Sequence, residues 1–387
     1  MSIKQSDKTY VANTYNRFDV QIVSGKGSIV YDENGKRYID MGSGIGVTSF
    51  GIADDVWQKA VTEQLSRVQH MSNLYYTEPC ALLAKALCER TGMKKVFFSN
   101  SGAEANECAI KVARKYAAEK KGAEYSTIIT LKNGFHGRTL TTLAATGQEH
   151  YHELFQPLTP GFIHADANDA ASLIKMAKEN KTAAIMIECI QGEGGVLVLD
   201  KNFVKEIADF AKKEDIILIV DEVQTGNGRT GELYAYMNYG IEPDVVSTAK
   251  GIGGGLPLGA ALLSEKVQNV LGFGDHGSTF GGNPVCCAGA LTVIERMNEE
   301  FLAEVKEKSK AVFAALEGAD GVEYVSGMGL MIGIKTVKPA GEVLKKCMEN
   351  GVLCLTAKDK VRLLPALNIP MDVLMEAVNV IKAACEI

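Results

Sequence analysis

The sequence predicts an α/β protein, with a large domain on a mainly parallel central sheet and a smaller α+β domain formed from the chain termini. Three observations predict this. Through the middle of the chain, short apolar runs alternate with amphipathic stretches, as in a doubly wound sheet flanked by helices. The run 216–220 is apolar at every position, which suits a strand covered on both faces. The tail abandons that alternation. At 387 residues the chain is too long for one ordinary domain and suits two closely packed ones.

Taken in order, the segments 28–31 and 37–40 flank Asn34-Gly35 and read as a hairpin. The apolar runs 96–98, 128–129, 183–187, 216–220 and 245–246 read as strands. After Ser101, apolar side chains recur at Ala105, Cys108, Ala109, Val112, Ala113 and Tyr116, the stripe of a core-facing helix. A second helix is expected over 200–213. The tail reads as a helix ending near Asn350-Gly351, a strand over 352–355, an extended 362–364 and a last helix near 371–385. The expected division is 1–50 joining the small domain, 51–290 as the large domain and 291–387 as the C-terminal small domain.

Composition narrows the function. The chain is 46% hydrophobic and 23% charged, enough for a large core. A net charge of -6, with basic pairs scattered among acids, argues against a nucleic-acid partner. The polar start resembles no signal peptide, and no apolar run is long enough to span a membrane. Nine cysteines without a CxxC pattern suggest reduced thiols in a cytoplasmic protein, with no metal site.

Three segments carry chemistry. In Asn100-Ser101-Gly102-Ala103-Glu104, the Ser101/Glu104 spacing is that of a capping box between a strand and a helix. Ser101 would satisfy one N–H near Glu104, leaving those of Gly102 and Ala103 free at the positive end of a helix dipole, an anion site suited to phosphate. By itself the pattern also describes an ordinary N-cap. Asp221 ends the apolar run 216–220, at the sheet edge where α/β proteins place ligands. It could hold a protonated pyridine nitrogen, cap the next element or bind a metal. Lys250 follows another apolar run and precedes Gly251-Ile252-Gly253-Gly254-Gly255. A buried amine there would be a nucleophile towards carbonyls, where a solvated Lys would be inert. Asp221 and Lys250 lie 250 − 221 = 29 residues apart on successive candidate strands, at the same edge as the anion site.

Together with 99–107 (SNSGAEANE), 133–139 (NGFHGRT), 191–196 (QGEGGV), 221–226 (DEVQTG), 248–251 (TAKG) and 277–284 (GSTFGGNP), these residues resemble the class-III aminotransferases, a family of fold-type-I pyridoxal-phosphate (PLP) enzymes. Within it the similarity is greatest to members that act on N2-acetylornithine. The resemblance implies that Lys250 carries PLP as a Schiff base and moves the proton, while Asp221 pairs with the ring nitrogen. It places Ser101, Gly102, Ala103, Glu222 and Val223 around the cofactor, Gln224 near its ring hydroxyl and Phe135 on its face. Thr279 is expected to reach a phosphate in the other subunit of a homodimer, with Ser278 near the substrate and His136 orienting its neighbours.

The resemblance also implies ping-pong transfer of a terminal amino group to 2-oxoglutarate. Arg362 would bind the α-carboxylate of glutamate, Glu193 would neutralise Arg362 when the other substrate is present, and Arg138 would bind the distal carboxylate of either. Succinylornithine, N-succinyl-diaminopimelate, ornithine and 4-aminobutyrate are alternative donors. An aminomutase and a PLP-dependent regulator are rival classes. The chain departs from the family at 51–55, where Gly-His-x-His-Pro is common, and at Glu188-Cys189-Ile190, where a Pro is missing. Gly44 replaces a Tyr of the ornithine enzymes, which favours an acylated donor.

Overall fold

The structure is a computed structural model of residues 1–387. Its centre is a seven-stranded sheet in the order Lys95–Ser99, Gly259–Leu263, Val245–Thr248, Ile217–Asp221, Thr182–Ile187, Thr127–Leu131, Phe162–Ala165. Gly259–Leu263 is antiparallel to both neighbours, and every other pairing is parallel. The carboxyl ends of six strands therefore share one edge.

Every residue of Ile217–Asp221 and of Thr182–Ile187 is buried, because helices cover both faces. Gly102–Lys121 covers one face with the six anticipated apolar positions. Lys201–Lys213, N-capped by Asp200, packs on the same central strand through Phe203, Val204, Ile207 and Ala211. The strands Phe162–Ala165 and Gly259–Leu263 escaped the sequence reading. The second is Gly-Ala-Ala-Leu-Leu, whose small residues lack the β-branched signature of a strand. Its glycine is required: a Cβ at Gly259 would sit 2.3 Å from the Ser101 carbonyl oxygen.

The chain ends meet. The meander Ile22–Lys26, Ile29–Asp32, Arg37–Asp40 gains a fourth, parallel strand from Val352–Leu353. A second sheet has the order Val322–Met328, Met331–Thr336, Lys360–Leu363, Leu355–Ala357. The segment 352–357 thus feeds two sheets rather than forming one strand, with Cys354 at the break. Helices Ala340–Glu349 and Met371–Cys385 pack together against these sheets. One apolar core runs without interruption from Ile187 and Val220 to Leu363 and Val378. The buried guanidinium of Arg229 pins the two regions together, donating to the carbonyls of Leu330 (3.1 Å) and Pro365 (2.6 Å).

Candidate active site

The shared sheet edge opens into a cavity of about 600 Å³. Its lining includes Ser101, Gly102, Ala103, Phe135, Arg138, Asp221, Val223, Gln224 and Lys250. Each stands at the carboxyl end of a strand or in the loop that follows it, which is why segments far apart in sequence converge.

Lys250 follows Val245–Thr248 and adopts a left-handed backbone, φ 49°. A non-glycine residue in that region carries strain that its surroundings must hold. Asn227 helps to hold it, donating to Thr248 Oγ1 (3.0 Å) and the Ala249 carbonyl (3.1 Å). Burial pushes the Lys250 amine below its ordinary range, and nearby Glu193, Asp221 and Glu188 only partly oppose that.

Asp221 is 3% exposed and collects three donors. Asn106 Nδ2 lies 2.7 Å and His136 Nδ1 2.8 Å from its Oδ2, and the Val223 N–H is 3.0 Å from Oδ1. Asn106 also donates to the His136 carbonyl (2.7 Å), so one amide fixes both partners. Burial alone would keep His136 neutral. The hydrogen bond and charge of Asp221, with Glu188 beyond, outweigh burial and raise its pKa.

At the helix Gly102–Lys121, Ser101 Oγ accepts from the Glu104 N–H (3.2 Å) as expected. The reciprocal half of the capping box shifts by one residue: Glu104 accepts from the Asn100 N–H (3.0 Å) and its side-chain amide (2.9 Å). Glu104 also accepts from Ser101 Oγ (2.9 Å). The N–H groups of Gly102 and Ala103 have no acceptor in the chain. A Cβ on Gly102 would meet Val223 at 2.6 Å, so glycine lets the helix start close against the Asp221 loop.

Across the cavity, Arg362 is 3% exposed and donates from Nη1 to Glu193 Oε1 (2.6 Å) and Gln224 Oε1 (3.1 Å). Gln224 in turn donates to Glu193 (3.2 Å). Burial would raise the Glu193 carboxyl, but the charge and hydrogen bond of Arg362 override it and hold the pKa low. Glu193 and Arg362 therefore reach the cavity through Gln224, which lines it.

Three expected residues stand elsewhere. Glu222 is turned away from the cavity, because neighbours along an extended chain face opposite sides. It accepts from Thr225 Oγ1 (2.5 Å) and the Tyr236 N–H (2.8 Å), and burial raises its pKa to about 7. Ser278 accepts from Asn100 Nδ2 (3.2 Å) just outside the lining. Thr279 is exposed and does not line the cavity. Gly44 lines a neighbouring cavity of about 370 Å³ instead.

Sequence reasoning missed Asn106, Glu188 and Tyr151. Glu188 follows the all-apolar strand Thr182–Ile187 as Asp221 follows its own strand, so the same signal was available. It accepts from the N–H groups of Phe135 (2.9 Å) and Gly192 (3.4 Å), and burial lifts its carboxyl to about 7. Asn106 was marked only by being polar on the buried side of its helix.

The family model for class-III aminotransferases matches residues 10–385. The chain belongs to the class-III aminotransferases. It is 49% identical to an acetylornithine aminotransferase of Haemophilus ducreyi, covering 98% of this chain and 97% of the relative. Its fold is similar to an N-acetylornithine aminotransferase of Stenotrophomonas maltophilia, at TM-score 0.85 and 33% identity, covering 98% and 97% of the two chains. It is also similar to an ornithine aminotransferase of Toxoplasma gondii, at TM-score 0.94 and 31% identity, covering 99% and 94%.

Class-III aminotransferases depend on PLP, and this aminotransferase has groups suited to it. Two unpaired helix-terminal N–H groups match a phosphate, the Asp221 carboxylate matches a protonated ring nitrogen, and the buried Lys250 amine matches an aldehyde carbon. No helix is long and apolar enough to cross a membrane.

Proposed function

We propose that this aminotransferase moves the terminal amino group of N2-acetylornithine to 2-oxoglutarate, as a cytoplasmic homodimer. The observation that carries the reading is the buried Arg362–Glu193 pair joined to the cavity by Gln224. One site must accept a carboxylate beside the reacting carbon in glutamate and none there in a terminal amine. A guanidinium with an internal carboxylate meets both demands: Glu193 neutralises Arg362 in one half-reaction and yields to the α-carboxylate of glutamate in the other. An unpaired buried charge would be costly in either.

When bound, PLP supplies an aldehyde that condenses with amines and a ring that draws electrons from the adjacent carbon. Gly102 and Ala103 hold its phosphate through their N–H groups. Asp221, oriented by His136 and Asn106, holds a proton on the ring nitrogen. Phe135 covers the ring face. Lys250, with its lowered pKa, takes the proton from the substrate carbon at Nζ and returns it. Arg138 binds the distal carboxylate of either substrate.

The acylated donor is supported by the names of the relatives, and Gly44, lying outside the cavity, adds nothing to it. A dimer is supported by Thr279, which does not line its own cavity, and by the exposed Leu74, Tyr76, Phe273 and Phe280.

The test is a half-reaction: the PLP form is mixed with N-acetylornithine alone and cofactor absorbance is followed. Conversion to the amine form is expected. Conversion by glutamate but not by N-acetylornithine would refute the donor and return it to ornithine or another ω-amine. Sedimentation at the mass of one chain would refute the dimer.

A further inference from the structure

Apart from Lys250, Arg138 is the only lysine or arginine lining the cavity. It forms no ion pair or hydrogen bond within the chain. Its guanidinium lies instead over two aromatic faces, 5.0 Å from the Tyr151 centroid and 5.7 Å from that of Phe135. The two rings meet edge to face at 5.8 Å. His150 packs on Tyr151 with centroids 4.0 Å apart.

The short helical turn Glu149–Tyr151 is fixed from behind. His152 is buried, with Nε2 2.9 Å from the Leu143 carbonyl and 2.7 Å from that of Thr146. Tyr151 is thus a half-buried ring on an anchored backbone, and its hydroxyl has no hydrogen-bond partner in the chain. What it contributes is the ring face.

A carboxylate partner would neutralise Arg138 and occupy its N–H groups. A π-face attracts the cation without consuming any N–H, leaving the planar edge free for a two-point grip on a carboxylate. Holding a long side chain in one rotamer also removes an entropy cost from binding. We propose that Tyr151 is a specificity-determining positioning residue, which holds Arg138 with its donor edge open to the distal carboxylate of the substrate. The inference rests on the reading of Arg138 given above.

Half-reactions of the wild type, Tyr151→Phe, Tyr151→Leu and Arg138→Ala test it, with two pairs of amines. N-acetylornithine and N-acetyl-1,4-diaminobutane differ only by the distal carboxylate, as do glutamate and 2-aminobutyrate. In Tyr151→Leu the half-saturating concentration should rise roughly fivefold for each carboxylate-bearing member, with limiting rates within about twofold. The carboxylate-free members should be unaffected, and Tyr151→Phe should match the wild type. Equal losses on both members of a pair, or no loss in Tyr151→Leu, would overturn the proposal. If N-acetylornithine proves inert with the wild type, only the donor assignment has failed, and the glutamate pair still decides. If Arg138→Ala keeps the wild-type preference for glutamate over 2-aminobutyrate, the role of Arg138 fails and the inference with it.

Discussion

Replacing Glu193 with alanine strips a buried guanidinium of its only carboxylate. Arg362 is 3% exposed, its Nη1 is 2.6 Å from Glu193, and its Nε already lacks a partner. Breaking a fully buried pair costs about 3–5 kcal/mol. Two features reduce that here: Gln224 still accepts from Arg362, and the Glu193 side chain is 26% exposed, so water reaches the gap. About 1.5–3 kcal/mol remains once a bound amine displaces that water, or roughly ten- to 150-fold in rate. That penalty falls on a terminal amine, which brings no carboxylate to Arg362. Glutamate brings its own and no longer has to displace Glu193, so its half-reaction should hold or quicken. Rapid mixing of the PLP form of Glu193→Ala with each amine separately, followed by cofactor absorbance, measures both limbs. Equal loss in the two half-reactions would refute the switch, because a pair that only braces the fold would weaken both alike.

Lys250→Ala should retain bound cofactor, read from its absorbance after gel filtration, while turnover falls by at least about a thousandfold; normal turnover would overturn its assignment. Asn106→Leu leaves Asp221 short of one donor and the His136 carbonyl unpaired, so PLP should dissociate more readily in a fluorescence titration, with about 1–3 kcal/mol lost from stability. Burial raises Glu222 from the ordinary 4.5 to about 7, so the folded state holds a proton that the unfolded chain releases. Its contribution is fully present below pH 4.5 and is lost as pH rises through about 7, up to about 3 kcal/mol. Glu222→Gln, which mimics the protonated acid, should flatten that part of a stability–pH curve from denaturant titrations; an unchanged slope would show that Glu222 does not titrate there.

The parts of the site that sequence made legible are those written locally. Asp221 ends an apolar run, Lys250 follows another and Gly102-Ala103 follows an N-cap serine, so strand periodicity and turn chemistry mark their positions, while the family resemblance chose their roles over the ordinary ones. Asn106 and Glu188 carried weaker versions of the same signals, a polar residue on a core stripe and an acid after a buried strand. Tyr151 carried none, because what distinguishes it is the guanidinium above it. Glu222 shows the opposite error: sharing a motif with Asp221 says nothing of which way a side chain turns.

The sequence by itself determined the alternating architecture and the helix stripe of Gly102–Lys121, because hydrophobic periodicity and capping act over a few residues; Lys250 and Asp221 were singled out through the family resemblance. Only the tertiary structure decided that Gln224 joins the Arg362–Glu193 pair to the cavity, that Val352–Leu353 completes the N-terminal sheet, and that Arg138 lies over Tyr151 and not against an acid. Those contacts depend on how separate elements pack, and packing geometry is fixed by the whole core, not by any stretch of sequence short enough to read.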